Sequence, residues 1–265
     1  MADKPDSRDI VREIEIDAPI EAVWKALTEG GEVAKWLCEE AHVTPGVGGN
    51  YRKSWGGGQW SESIIEVWEP EHRLRVKQAS ASSTMIQEYT LESRGETTVL
   101  RLVDSGIPDS PGWEGMYDSK SRGWTFYFYA LKHYLEKHLG KSRHHIVDMR
   151  TIDCDLDEAW KRLTGPEGLA AKGSIDDLPE GSAFSTTAST GDLLEGTLLT
   201  NMPPKMLILV VESLDQAFLG VTFEGMGAQR FIYFSLATFG RDAADDAALA
   251  ERWTALLDRL FPTAS

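Results

Sequence analysis

His144 and His145 are the first residues whose type could serve chemistry. Neighbours in a strand point to opposite faces, so this pair cannot hold one metal ion together. His133 and His138 are five positions apart, off the i, i+4 spacing that sets two ligands on one helical face, and read as solvated side chains. The two cysteines, Cys38 and Cys154, lack metal-ligand spacing and read as structural thiols in a reducing compartment. Gly46-Val47-Gly48-Gly49 and Gly56-Gly57-Gly58 have the composition of phosphate loops. Neither opens a helix, which a phosphate cradle needs, so both read as hairpin turns. Glu62, Glu88 and Arg101 interrupt apolar stretches. Inside a cavity they would anchor a ligand or transfer protons; on an outer sheet face they would simply be solvated. No nucleophile elbow, His-Glu-x-x-His or P-loop occurs, so the expectation is no catalytic residue, no metal and no cofactor, and the balance leans against an enzyme.

Aromatic residues make the stronger signal. Trp36, Trp55, Trp60, Trp113 and Trp124, with Tyr51, Tyr89, Met85, Met116 and Phe128, crowd the first half of the chain. Such side chains give large contact area at low entropic cost and suit the wall of an apolar pocket, although the same residues also fill ordinary cores. Trp113, in a Pro- and Gly-rich loop from Ile107 to Gly115, and Met116 just after it are both placed before the long helix, where they could act as a lid. The second half has only Trp160 and Trp253, so its cavity is expected to be filled or small.

The elements that must position these residues come in two sets. Ile-Asp-Ala-Pro-Ile-Glu-Ala-Val-Trp-Lys-Ala-Leu-Thr at 16–28 is echoed by Ile-Asp-Cys-Asp-Leu-Asp-Glu-Ala-Trp-Lys-Arg-Leu-Thr at 152–164, an offset of 136. Trp124-Thr125 recurs as Trp253-Thr254 at an offset of 129, so the second copy is slightly shorter. The boundary falls near Gly140, a residue suited to the left-handed turn after a helix, giving domains 1–141 and 142–265.

In copy one the alternation of Ile10, Ile14 and Ile16 with acidic residues predicts a strand over Arg8–Asp17. A short helix from Pro19 to Leu27 follows, broken by Gly30-Gly31, and then a second over Glu32–Leu37. Strands are predicted over Asn50–Trp55, Gln59–Trp68, Arg73–Gln78, Ser83–Glu92 and Thr97–Asp104, joined by short loops that imply antiparallel hairpins. A long helix from about Asp118 to Leu139 carries Trp124, Phe128, Leu131 and Leu135 on one face. Copy two is predicted to repeat this order, two short helices included. It closes with the helix Ala243–Leu260.

Composition narrows the partners. With 27 basic and 42 acidic residues in 265, the formal charge is −15, divided as −6 over 1–142 and −9 over 143–265. So acidic a surface repels phosphate backbones and anionic lipid heads, which excludes nucleic acid and membrane surfaces as expected partners. The segment 1–9 has no apolar run of the secretory type and no stretch reaches membrane-spanning length, so a cytoplasmic location is expected.

The opening motif at 16–28, Trp36 after the second short helix and Gly123-Trp124 on the final helix resemble the START-like (SRPBCC) superfamily. Within it, copy one is similar to the branch named after the C-terminal domain of the activator of the 90-kDa heat-shock-protein ATPase. Copy two keeps the opening motif but has Arg252-Trp253 for Gly-Trp, and resembles a divergent second domain. The resemblance implies an α+β chain of two helix-grip domains, each a curved antiparallel sheet around a long C-terminal helix. It also implies a hydrophobic small molecule, lipid- or polyketide-like, as the occupant of the first cavity, with the second domain structural or partner-docking. A co-chaperone-like module contacting a chaperone, and a polyketide cyclase or hydrolase, are the alternatives it leaves open. Duplication further suggests a monomer with an internal pseudo-dimer.

Overall fold

The computed structural model describes residues 7–79, 84–175, 177–226 and 229–262, and divides into two compact units, 1–139 and 140–265. The first contains β1 (Ser7–Ile16), α1 (Ile20–Thr28), α2 (Gly30–Val33), β2 (Glu40–Val43), β3 (Asn50–Ser54) and β4 (Ser61–Glu69). It continues with β5 (Arg73–Ala79), β6 (Thr84–Arg94), β7 (Thr97–Pro108) and α3 (Glu114–Lys137). Its seven strands form one antiparallel sheet in the order β1-β7-β6-β5-β4-β3-β2. The second unit contains β8 (Arg143–Thr151), α4 (Leu156–Thr164), β9 (Lys172–Gly173), β10 (Ala183–Thr187) and β11 (Leu193–Met202). β12 (Met206–Val211), β13 (Ala217–Met226), β14 (Gln229–Phe239) and α5 (Ala243–Leu260) complete it. Its sheet runs β8-β14-β13-β12-β11-β10-β9, the same winding strand for strand.

The repeated motif has a repeated structural task. In α1 the residues Val23, Trp24 and Leu27 are buried, and Thr28 Oγ1 donates to the Trp24 carbonyl at 2.7 Å, satisfying an acceptor of the last turn. In α4 Ala159, Trp160 and Leu163 are buried, and Thr164 Oγ1 donates to the Trp160 carbonyl at 3.0 Å. The starts differ. Pro19 precedes α1 without a side-chain cap, whereas the Asp155 carboxylate accepts from the Glu158 N–H at 2.8 Å. The sheets share an irregularity too: register shifts just after Ile65 in β4 and just after Leu198 in β11.

Several expectations are corrected. Gly30-Gly31 does not break the chain; it opens α2, with the break one residue earlier at extended Glu29. A Cβ at Gly30 would sit 2.4 Å from the Ala41 carbonyl oxygen, so close packing on β2 selects this glycine. The second unit has a turn over 165–169 in place of a second short helix. The four-residue β2 and two-residue β9 are too short to show a period and went unpredicted. The expected strand start at Ser83 lies outside the described residues. α3 begins at Glu114, behind a 3₁₀ turn over Pro111–Trp113, so Met116 stands in the first turn of the helix and not in a loop.

His133 and His138 are buried instead of solvated, with their Nε2 atoms 3.2 Å apart. His138 follows the end of α3 at φ −135°, ψ 13°, so its ring leaves helical spacing and reaches back to His133. Among the described residues no three His, Cys, Asp or Glu side chains are grouped to hold a metal ion, and no helix is long and apolar enough to cross a membrane.

Candidate functional site

Alternation along the strands decides what enters the interior of the first unit. On β3 the inward parity is Tyr51 and Lys53; on β6 it is Gln87, Tyr89 and Leu91; on β7 it is Leu100, Leu102 and Asp104. One turn apart on α3, Lys120 and Trp124 face the same way. The result is a polar cluster inside an otherwise apolar grip between sheet and helix. Asp104, at 0% exposure, accepts from Trp124 Nε1 at 2.6 Å and from Lys120 Nζ at 2.8 Å. Lys120 Nζ also lies 3.5 Å from the Met85 sulfur. Lys53, 4% exposed, donates to Gln87 Oε1 at 3.2 Å and sits 5.2 Å from the centre of the Tyr51 ring and 5.9 Å from that of Trp55.

The two tyrosines differ in satisfaction. Tyr51 donates its hydroxyl to the Leu27 carbonyl at 3.0 Å. Tyr89, packed edge-on to Trp124 at 6.1 Å, has a buried hydroxyl without a hydrogen-bond partner. Burial pushes both phenols up from the ordinary tyrosine range, and the negative charge of Asp104 adds to the effect at Tyr89. Burial acts oppositely on the ammonium of Lys53, pushing it down to about 8; Lys120 lowers it further, while Cys38 and Asp104 pull it back up.

The second unit shows what this fold does without the cluster. In the first sheet Ile10 pairs with Asp104, Asp104 with Gln87 and Gln87 with Val76. At the same rank in the second, Ile146 pairs with Leu236, Leu236 with Leu219 and Leu219 with Leu209. Continuing along the two registers, Tyr89 corresponds to Val221, Tyr51 to Phe184 and Lys53 to Thr186. On the helix, the offset of 129 that relates Trp124 to Trp253 carries Lys120 onto Leu249. All of these counterparts are buried. Trp253 Nε1 does keep an aspartate, Asp192 at 3.0 Å, but that residue comes from the loop between β10 and β11.

Of the residues expected from sequence to line a site, Tyr51, Met85, Tyr89 and Trp124 meet at this cluster, with Trp55 beside Lys53 and Phe128 6.1 Å from Trp124. Phe128 also borders a groove of about 250 Å³ between β1 and α3, together with Arg12, Ile14, Thr125 and Tyr129. Trp36 is buried and donates Nε1 to the Ala26 carbonyl at 2.8 Å, a bond that ties α1 to the turn after α2. Trp60 lies on the outer face, stacked on His42 and covered by Arg52. Trp113 is half-buried and Met116 exposed at the start of α3.

Glu62, Glu88 and Arg101 all point away from the interior. Glu62 pairs with Arg52, Glu88 pairs with Arg73 and Arg75, and Arg101 is exposed. The residues sequence reasoning passed over are Lys53, Gln87, Asp104 and Lys120. The signal was available in the parity of Tyr51-x-Lys53, Gln87-x-Tyr89 and Leu102-x-Asp104, and in the four-residue step from Lys120 to Trp124.

The chain is therefore an α+β tandem of START-like helix-grip domains, the first with a cluster of charged and polar side chains between sheet and helix and the second without charge at the matching positions. Residues 17–136, which lie within the first unit, match the family described as Activator of Hsp90 ATPase homolog 1-like protein. Among solved structures, protein MLL2253 from Mesorhizobium loti is similar at 26% identity over 49% of this chain and 98% of that one, with a TM-score of 0.45. The di-domain ARO/CYC BexL, from the BE-7585A biosynthetic pathway, is similar at 14% identity over 96% of this chain and 95% of that one, TM-score 0.45. DynU16, from the dynemicin biosynthetic locus, is 20% identical over 95% and 96%, TM-score 0.42. No curated protein matches the chain.

Proposed function

We propose that the first unit binds a hydrophobic small molecule between its sheet and α3, without catalysing a reaction, and that the second unit is structural or docks a partner. The observation that carries this reading is the polar cluster with an apolar counterpart. A buried ion pair contributes little to stability, and replacing one with well-packed apolar residues is commonly neutral or stabilising by about 1–4 kcal/mol. The second unit closes the same sheet around Leu219, Leu236 and Leu249. Folding alone gives no reason to retain Lys53, Asp104 and Lys120; recognition does.

Outward-facing Glu88 and Arg101 withhold support from the cyclase or hydrolase alternative that would use them. A co-chaperone role draws on the family match alone. As parts of the same reading, we take the chain to be a monomer in a reducing, cytoplasmic compartment, with its two free cysteines kept as thiols.

The test is titration of the full chain with 2-naphthoate, methyl 2-naphthoate, dodecanoate and 1-dodecanol. Seven of the nine tryptophans lie in the first unit, so their fluorescence reports on it. A ligand at one hundred times its Kd should add about 2.7 kcal/mol to that unit, raising its Tm by roughly 7–11 °C. If none of the four compounds moves either Tm or fluorescence, the reading is wrong.

A further inference from the structure

We propose that the ligand of the first unit carries a carboxylate, received by the Lys53 ammonium and the Tyr89 hydroxyl inside the grip. This rests on the binding role proposed above and adds the chemical class of the ligand.

The argument is one of unmet hydrogen-bonding capacity. An ammonium has three donors. Among the described residues Lys53 Nζ has one hydrogen-bond acceptor, the neutral Gln87 Oε1, and the faces of Tyr51 and Trp55 lie beside it. Two residues along β6 from Gln87, on the same inward face, the Tyr89 hydroxyl is buried with no partner. The carboxylate already present cannot serve both. Asp104 is engaged through one oxygen by Lys120 and through the other by Trp124. Buried donors left unmatched cost free energy that an incoming acceptor recovers.

Charge chooses the acceptor. Lys53 and Lys120 against Asp104 leave one uncompensated positive charge within the cluster. A carboxylate monoanion balances it, whereas a phosphate monoester, with nearly two negative charges, would overshoot. Tyr51, Tyr89, Trp124 and Phe128 supply an apolar surround for the rest of such a molecule. The second unit lacks every element of this receptor. Val221 replaces the hydroxyl, Thr186 the ammonium, and the Thr186 hydroxyl is spent on the Leu169 and Lys172 carbonyls. One carboxylate per chain is the stoichiometry expected.

The experiment compares 2-naphthoate with methyl 2-naphthoate, which differ in the charge and not in the ring, on the full chain by fluorescence and calorimetry. The acid should bind at least about tenfold more tightly than the ester, with one site per chain. Lys53→Met should reduce acid binding by about 10- to 100-fold and leave the ester unchanged; Tyr89→Phe should cost about tenfold for the acid alone. Tyr89→Phe removes only an unbonded hydroxyl, so it keeps the test decisive should Lys53→Met lose its cooperative melt. Equal binding of acid and ester, or a preference for the acid that survives Tyr89→Phe undiminished, overturns the carboxylate assignment and leaves the binding role standing. No binding by either compound, nor by dodecanoate or 1-dodecanol, removes both.

Discussion

Replacing Lys53 with methionine should flatten a rise in stability that the wild-type first unit shows between about pH 8 and 10. Lys53 is pushed from 10.5 down to about 8 on folding, chiefly by burial, at 4% exposure. Over that interval the unfolded chain holds the lysine proton and the folded chain has released it. Stability therefore climbs with pH, by about 1.4 kcal/mol for each pH unit that a whole proton separates the two states. The gap between 8 and 10.5 is worth about 3 kcal/mol in full.

Above about pH 10 the sign reverses. The folded state keeps the protons of Tyr51 and Tyr89, whose phenols burial has pushed up, while the unfolded chain loses them. The useful window therefore ends near 10, and about 2 kcal/mol of the rise should be visible inside it. At pH 7 the single substitution has two opposing effects: it removes a desolvated charge and strands Gln87 Oε1, each worth about 1–3 kcal/mol, so the absolute stability there decides nothing. The slope does. Urea unfolding with reductant present, followed by tryptophan fluorescence at half-unit steps from pH 7 to 10.5, gives the difference between wild type and Lys53→Met directly. The contribution of the two tyrosines is common to both proteins and largely cancels. Curves that stay parallel within about 0.5 kcal/mol would refute the burial argument for Lys53.

Two further outcomes are expected. Trp124→Phe removes a donor from the fully buried Asp104 carboxylate and should destabilise the first unit by about 2–3 kcal/mol in urea unfolding at pH 7; a loss below about 0.5 kcal/mol would show that the bond has no stabilising role. Gly30→Ala sets helix propensity, which favours alanine by about 1 kcal/mol, against a Cβ only 2.4 Å from the Ala41 carbonyl. The clash should win by more than about 1 kcal/mol, and an unchanged or raised Tm would show that β2 yields easily.

The depth to which the sequence could be read varied with the range of the interaction involved. The echo at an offset of 136 determined the duplication, because helix-closing Thr28 and Thr164 and buried Trp24 and Trp160 serve the same local purpose in each copy. Strand alternation and the amphipathic face of α3 determined the order of strands and helices, and the helix-grip class was what the resemblance of the opening motif and Gly123-Trp124 implied. Aromatic crowding placed Tyr51, Tyr89, Met85 and Trp124 among the candidate site residues, and they do converge.

What waited for tertiary structure was whatever depends on partners distant in the chain. Short β2 and β9 exist only because neighbouring strands offer them a ladder, and Gly30 is explained only by the backbone of Ala41. Whether Glu88 or Gln87 faces inward turns on a single residue of register, which a strand with apolar residues on both faces leaves undetermined. The match of Asp104 to Leu236 and of Lys53 to Thr186 emerges from cross-strand pairing, because unequal loops shift the offset along the chain. Local pattern thus defined two copies of one fold. Only cross-strand register showed that one copy gathers Lys53, Asp104 and Lys120 inside it, since charges distant in sequence become a site only when a sheet and a helix close over them.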